Sequence, residues 1–127
     1  MNKAASVYFG ISGVCLLIFG CIILLLVQCK KSTNDPFANV DCSKISSGYA
    51  ANIRPILNSA ACSMQGCHNA NSQYGDLTNY AGAKAKANNG SLYLRVVKEG
   101  NMPPSGALSI DDRKKIKCWI DAGAPNN

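Results

Sequence analysis

Two cysteines and the only histidine of the chain lie together in the segment CSMQGCH. Cys62 and Cys67 have four residues between them, and His68 follows the second cysteine directly. Thiol and imidazole groups act as nucleophiles and as metal ligands. The sequence signal for covalent haem attachment is C-x-x-C-H. This segment has the residue types of such a site, with a longer spacing between the cysteines.

Three interpretations of this cluster compete. A local disulfide between Cys62 and Cys67 would leave His68 without a role. A structural zinc site needs four ligands, so Cys42, Cys118 or a carboxylate would have to complete it. Covalent attachment of haem to both thiols, with the histidine as an iron ligand, uses all three residues.

The longer loop is compatible with haem attachment. The two vinyl groups of haem are a fixed distance apart, so the extra residues must bulge outward at some cost in loop entropy. Gly66, directly before the second cysteine, permits the tight turn that such a bulge needs.

A second iron ligand can be assigned by elimination. Haem iron in electron-transfer sites often takes a methionine as its other axial ligand. The chain has no second histidine, and its methionines are Met1, Met64 and Met102. Met1 belongs to the N-terminal segment, and Met64 lies inside the attachment loop with the histidine. Met102 remains, and Pro103 and Pro104 fix the backbone after it. An open iron position would instead permit peroxidase-like or gas-sensing chemistry.

Short helices must position these residues. In PILNSAA, Pro55 suits a first helical turn, and apolar residues recur at helical spacing at Ile53, Ile56, Leu57 and Ala60. The segment NYAGAKAKA predicts a second helix, and SLYLRVVK a third that closes at Gly100.

The clearest helix is the last one. Ser109 and Asp112 resemble a capping box in which Asp replaces the usual Glu. Its predicted buried face is Ile116, Trp119 and Ile120, and Gly123 is the predicted stop. The apolar residues of residues 41–127 are few for a self-sufficient core, so a large apolar ligand or a disulfide would complete it.

The N-terminal segment, residues 1–29, is predicted to be an export signal or a membrane anchor. From Ala4 to Val27 no residue is charged. This exceeds the ~7–15 residues of a secretory signal core and matches the ~20 residues that span a bilayer. The lysines on its two sides nearly balance, so charge does not set its orientation.

The end of this segment resembles a bacterial lipoprotein signal, in which Cys29 would accept the lipid. The preceding residue is Gln28, where such signals usually have a small residue, so a retained transmembrane helix is the alternative. Residues 30–40 are polar and without apolar period, which predicts a linker. Residues 41–127 form the predicted folded domain.

Charge and composition exclude some functions. The chain has 127 residues and a net charge of +6, without a basic tract interleaved with aromatics, so nucleic-acid binding has little support. The basic run Arg113-Lys114-Lys115 with Lys117 is typical of a solvated helix face, and a docking patch for an acidic redox partner is the alternative. We find no nucleophile–base pair and no paired carboxylates, so no enzyme activity is predicted.

The order IRPIL, CSMQGCH, GDLTNY, GSLYLRVV, NMPPSGALS and IKCWIDAGAPNN resembles the small monohaem cytochrome c domains of bacteria, over about residues 49–127. Cys62, Cys67 and His68 match the haem-binding motif in its rarer long-loop form. Met102 matches the distal ligand of the Met-Pro-Pro loop. Trp119 matches an aromatic residue of the C-terminal helix.

The resemblance implies an all-α, cytochrome c-like bundle of short helices around one covalent haem c, with His68 and Met102 as axial ligands. It implies one-electron transfer to redox partner proteins of a respiratory chain. From the N-terminal segment we expect the domain to be membrane-anchored, on the periplasmic or extracellular side. The alternative function is a disulfide-stapled surface lipoprotein without haem.

The resemblance also bears on the two cysteines that haem would not use. In the cytochrome c fold the N- and C-terminal segments meet, so Cys42 and Cys118 are expected to form a disulfide, which would persist in an exported domain. Two unpaired thiols are the alternative.

Overall fold

The structure is a computed structural model that describes residues 35–127. All regular secondary structure in this range is helical, which confirms the predicted all-α class. The apolar N-terminal segment and Cys29 lie outside the described residues. In the part that is described, no helix has both the length and the apolar character needed to cross a membrane.

Helices of different types follow one another along residues 35–127. A 3₁₀ turn over Cys42–Lys44 comes first. Helix α1 begins as the π-helical turn Tyr49–Ile53 and continues as the α-helical turn Arg54–Leu57. The later helices are α2 at Ala60–Ser63, α3 at Tyr80–Asn88, the π-helical α4 at Tyr93–Lys98, and α5 at Ile110–Asp121.

The first predicted helix is interrupted. Pro55 lies in the first turn of the α-helical part of α1, as predicted. The helix ends at Leu57, and Ser59 adopts an extended conformation (φ −64°, ψ 156°) before α2 begins. Asn and Ser favour local turns over helix interiors, which accounts for a break at this point. Because of this break, Cys62 lies in a separate short helix, α2.

The predicted start of α5 is confirmed. The Ser109 hydroxyl accepts a hydrogen bond from the Asp112 N–H at 3.1 Å and caps the helix. It also donates to the Asp112 carboxylate at 2.8 Å, because the Asp side chain is too short to reach back to the N-cap N–H. After the helix, Gly123 has a φ of +85°. This left-handed conformation ends helices and suits glycine.

The core lies where α5 packs against α4 and against the π-helical turn of α1. Its largest fully buried side chains are Trp119, Ile53, Leu57, Ile116 and Val97. The Trp119 indole N–H donates to the Pro125 carbonyl at 2.9 Å, so its one polar atom is satisfied. Ile120, predicted to be buried, is only partly so.

Residues 35–40, which the sequence pattern predicts to be part of the linker, form an N-terminal strap that packs on the domain. Phe37 is 3% exposed and belongs to the core. The Asp35 carboxylate accepts a hydrogen bond from the Tyr93 hydroxyl on α4. The apolar residues of this segment, Phe37, Ala38 and Val40, are too few to show a periodicity, which is why the sequence pattern did not reveal this packing.

The basic run of α5 is not one solvated face. The Arg113 guanidinium lies 4.6 Å from the Phe37 ring centroid, and its Nε donates to the Val97 carbonyl at 3.0 Å. Lys117 is buried and pairs with Asp121 one helical turn later. Lys114 and Lys115 pair with aspartates of the first turn. The four basic residues therefore do not form one uniformly solvated face.

Helix α3 is pressed against the loop before it. A Cβ atom at Gly82 would lie 1.6 Å from the Asp76 carbonyl oxygen, so only glycine allows this approach. The Asn79 side chain caps the helix by accepting from the Gly82 N–H at 2.9 Å. The helix is thereby fixed to the loop that follows His68.

Candidate functional site

The four residues proposed from the sequence to bind haem, Cys62, Cys67, His68 and Met102, line one cavity. Its volume is about 580 Å³, within the ~300–1,000 Å³ typical of ligand and cofactor pockets. The other lining residues are Leu57, Ala61, Gly66, Gln73, Tyr74, Leu77, Lys86, Ser91, Leu92, Arg95, Val96, Pro103 and Pro104.

The longer loop between the cysteines is a turn. The Cys67 N–H donates to the Met64 carbonyl at 3.0 Å, which closes four residues into a β-turn. Gly66 occupies the third position with a φ of +83°. The His68 N–H then donates to the Cys62 carbonyl at 3.2 Å. The turn absorbs the additional residues, and both thiols reach the cavity.

Both cysteines of the segment are free thiols. Cys62 is buried at the end of the short α2, and burial raises the pKa of its thiol. The local disulfide is therefore not formed. In residues 35–127, no group of three or more His, Cys, Asp or Glu side chains could hold a metal ion, so the zinc interpretation has no ligand set.

A backbone carbonyl orients the His68 ring. Its Nδ1 lies 2.9 Å from the Gly75 carbonyl oxygen. A carbonyl oxygen only accepts hydrogen bonds, so Nδ1 must carry a proton, and Nε2 is the nitrogen left to bind a metal. Metal-ligating histidines commonly donate their second ring N–H to a carbonyl in this way. The arrangement suits an axial iron ligand.

The loop from residue 69 to residue 77 folds back to support this segment. The Ser72 hydroxyl donates to the Cys67 carbonyl, and the Leu77 N–H donates to the His68 carbonyl at 2.8 Å. Gly75, with a φ of +92°, provides the conformation that aims its carbonyl at the imidazole. The sequence pattern does not single out Gly75, because a glycine in a loop does not indicate which side chain its carbonyl will contact.

Met102 reaches the cavity from a different loop. Its N–H and that of Asn101 both donate to the Arg95 carbonyl of α4, at 3.2 and 3.1 Å. Pro103, the next residue, is buried. Met64, by contrast, is 55% exposed and does not line the cavity. The structure thus brings Met102 to the Cys–Cys–His segment and leaves Met64 outside.

Two cationic residues of the lining, Lys86 on α3 and Arg95 on α4, did not attract attention in the sequence. Isolated basic residues on a helix are ordinarily solvated. Both residues line the same cavity only because of the way α3 and α4 pack. No aspartate or glutamate is among the lining residues.

The predicted disulfide is confirmed. Cys42 in the 3₁₀ turn and Cys118 in α5 are joined, with 5.3 Å between their Cα atoms. The bridge lies away from the cavity, since neither cysteine lines it. It ties the start of the domain to its last helix.

Comparison with protein-family models, with curated proteins and with solved structures finds no match for this chain. The interpretation of the site therefore depends on its residues and their geometry.

Proposed function

We propose that residues 35–127 form a c-type cytochrome domain that carries single electrons through one covalently bound haem c. The observation that carries this proposal is the convergence of Cys62, Cys67, His68 and Met102 on a single cavity. Cys62 lies in α2, Cys67 and His68 follow in the turn after it, and Met102 comes from a separate loop. Their side chains are of the types that attach haem c and bind its iron.

The cavity fits a large apolar group. Much of its lining is aliphatic, including Leu57, Leu77, Leu92 and Val96. Its volume of about 580 Å³ is well above the ~150 Å³ of an engineered cavity that stays dry and binds benzene. A small domain with so much space inside is best explained by an occupant that completes the core.

Each residue has a distinct role in the proposal. The two thiols form the covalent links. His68, whose Nδ1 is held by the Gly75 carbonyl, would bind the iron through Nε2, and Met102 would bind it through sulfur. The bound haem would supply the one-electron couple, and methionine ligation together with an apolar surround favours the reduced state and raises the potential.

We further propose that the domain is a carrier and not an enzyme, since Met102, which lines the cavity, would occupy the iron position that a catalytic haem leaves open. The N-terminal segment would anchor it to a membrane, by lipid on Cys29 or as a retained helix, with the domain on the periplasmic or extracellular side. Its partners would be redox proteins of a respiratory chain.

Expression of the full chain in a host that matures c-type cytochromes tests the proposal. Haem staining on a denaturing gel should detect the protein, since only covalent haem survives denaturation. Intact-mass analysis should find one haem per chain. Cys67→Ser and His68→Ala should abolish stable incorporation, Cys62→Ser should leave a single thioether, and Asn69→Ala, next to the histidine, should behave as wild type.

A colourless protein of unmodified mass, from cells that mature other c-type cytochromes, would contradict the proposal. The disulfide between Cys42 and Cys118 would then favour the alternative, a stapled surface lipoprotein with a binding or structural role.

A further inference from the structure

The cavity is lined by two charged residues that have no role in the proposed covalent attachment or iron ligation. Lys86 and Arg95 are its two cationic lining residues besides the titratable His68, and the lining has no carboxylate to balance them. A cavity that is otherwise mostly apolar has no need of two cations unless its occupant carries negative charge.

Neither of these two cations is held in a close ion pair with an acidic side chain of residues 35–127. Lys44, Lys114, Lys115 and Lys117 each pair with an aspartate three or four residues away. Lys86 forms no such ion pair within residues 35–127. Arg95 approaches Glu99, but at 3.9 Å and with both side chains 40% or more exposed, which is a weak interaction. Both cations therefore keep most of their capacity for an external anion.

Their placement relates them to the two iron ligands. The Lys86 side chain lies against Gly75, where a Cβ atom would be 2.6 Å from its Cε, and the Gly75 carbonyl holds His68. Arg95 lines the cavity, and its carbonyl accepts hydrogen bonds from the N–H groups of Asn101 and Met102. Each cation therefore lies beside a segment that positions one of the two proposed iron ligands.

We propose that Lys86 and Arg95 bind the two propionate carboxylates of the haem. This inference rests on the function proposed above. Charge-assisted hydrogen bonds from ammonium and guanidinium groups to carboxylates are among the strongest in proteins, and they would fix the orientation of the group in its pocket. The two side chains would also offset the negative charge of the carboxylates near the iron.

The test measures the midpoint potential of the haem-loaded full chain. Lys86→Gln and Arg95→Gln should each lower it, because uncompensated carboxylates favour the ferric state, which has one more positive charge. At a fixed applied potential, the ferric-to-ferrous ratio should rise several-fold. Lys114→Gln removes the same charge from α5, outside the cavity, and should change the ratio much less. Arg95→Lys should restore most of the wild-type value.

A second readout separates carboxylate binding from general charge effects. Redox-difference infrared spectra, with the propionate carboxyls isotopically labelled, should shift in the two cavity variants and not in Lys114→Gln. Equal potential shifts in all three variants, or unchanged carboxylate bands, would overturn this inference while leaving the haem in place. A wild-type chain without haem would overturn the proposed function and this inference with it.

Discussion

Met102 owes its position to its backbone more than to its side chain. Two consecutive N–H groups, of Asn101 and Met102, converge on the Arg95 carbonyl, and Pro103 is buried directly after them. A methionine side chain is long and flexible, so its sulfur can adopt many positions relative to the backbone. Fixing the backbone on both sides reduces the conformational entropy lost when the sulfur takes one position.

Replacing Met102 by alanine should open the iron of the haem-loaded protein. We expect the weak far-red absorption of methionine-ligated ferric haem to disappear and the potential to fall. Imidazole should bind at least about tenfold more tightly, a difference of roughly 1.4 kcal/mol or more, since no internal ligand competes. Absorption titration measures this, with Met64→Leu as the matched control. Loss of the band in Met64→Leu and not in Met102→Ala would show that the assignment is wrong.

Helix α4 joins the cavity to the N-terminal strap. Val96 of this helix and Leu92, the residue directly before it, line the cavity. The Tyr93 hydroxyl donates a hydrogen bond to Asp35 of the strap. Burial, and then the hydrogen bond to Asp35, raise the pKa of Tyr93 to about 12. The same hydrogen bond lowers the pKa of Asp35. The contact thus favours a protonated tyrosine and an ionised aspartate.

This contact predicts a loss of stability in alkali. The unfolded chain loses the Tyr93 proton near pH 10, whereas the folded domain keeps it until about pH 12. The contribution is complete below the unfolded pKa and is lost as the pH rises from about 10 to about 12. Urea unfolding at about pH 9 and about pH 11 should show a smaller decrease for Tyr93→Phe than for wild type.

Tyr74→Phe serves as the control for this prediction, because Tyr74 is exposed and the tyrosine that donates to Asp35 is Tyr93. It should retain the alkaline decrease of the wild type. A Tyr93→Phe protein with an unchanged pH dependence would exclude a contribution from the contact to Asp35.

The whole domain is built around a cavity, with the buried core on one side and the disulfide linking its two ends. The bridge between Cys42 and Cys118 spans 76 positions of the sequence. Chain entropy gives a stabilisation of roughly 4.5 kcal/mol for a loop of that length, as an upper figure. Small domains have total stabilities of about 5–15 kcal/mol, so the bridge is a large part.

Removal of the bridge should therefore lower the melting temperature strongly. Cys42→Ala and Cys118→Ala should have similar effects, and the double variant should be little worse than either single one, because each single change already breaks the bond. Thermal unfolding of the haem-loaded protein measures this. Peptide mapping of the native, oxidised protein that finds both thiols free to react with an alkylating reagent would contradict the prediction.

Much of the local structure followed from the sequence. The cap at Ser109, the ends at Gly100 and Gly123 and the early turn at Pro55 are fixed by neighbouring residues, so pattern and propensity predicted them. The composition of the site, two thiols, one imidazole and one candidate sulfur, was also readable, since the chain has a single histidine and few methionines.

Only the tertiary structure decided which distant residues share a space. That Met102 lines the cavity with His68, that Lys86 and Arg95 join them, that the Gly75 carbonyl aligns the imidazole and that Phe37 belongs to the core depend on how the helices pack. Such contacts involve residues far apart in the chain, and their energies come from burial and pairing in three dimensions. Periodicity along the sequence carries no record of them, because it describes only which side of its own helix a residue occupies.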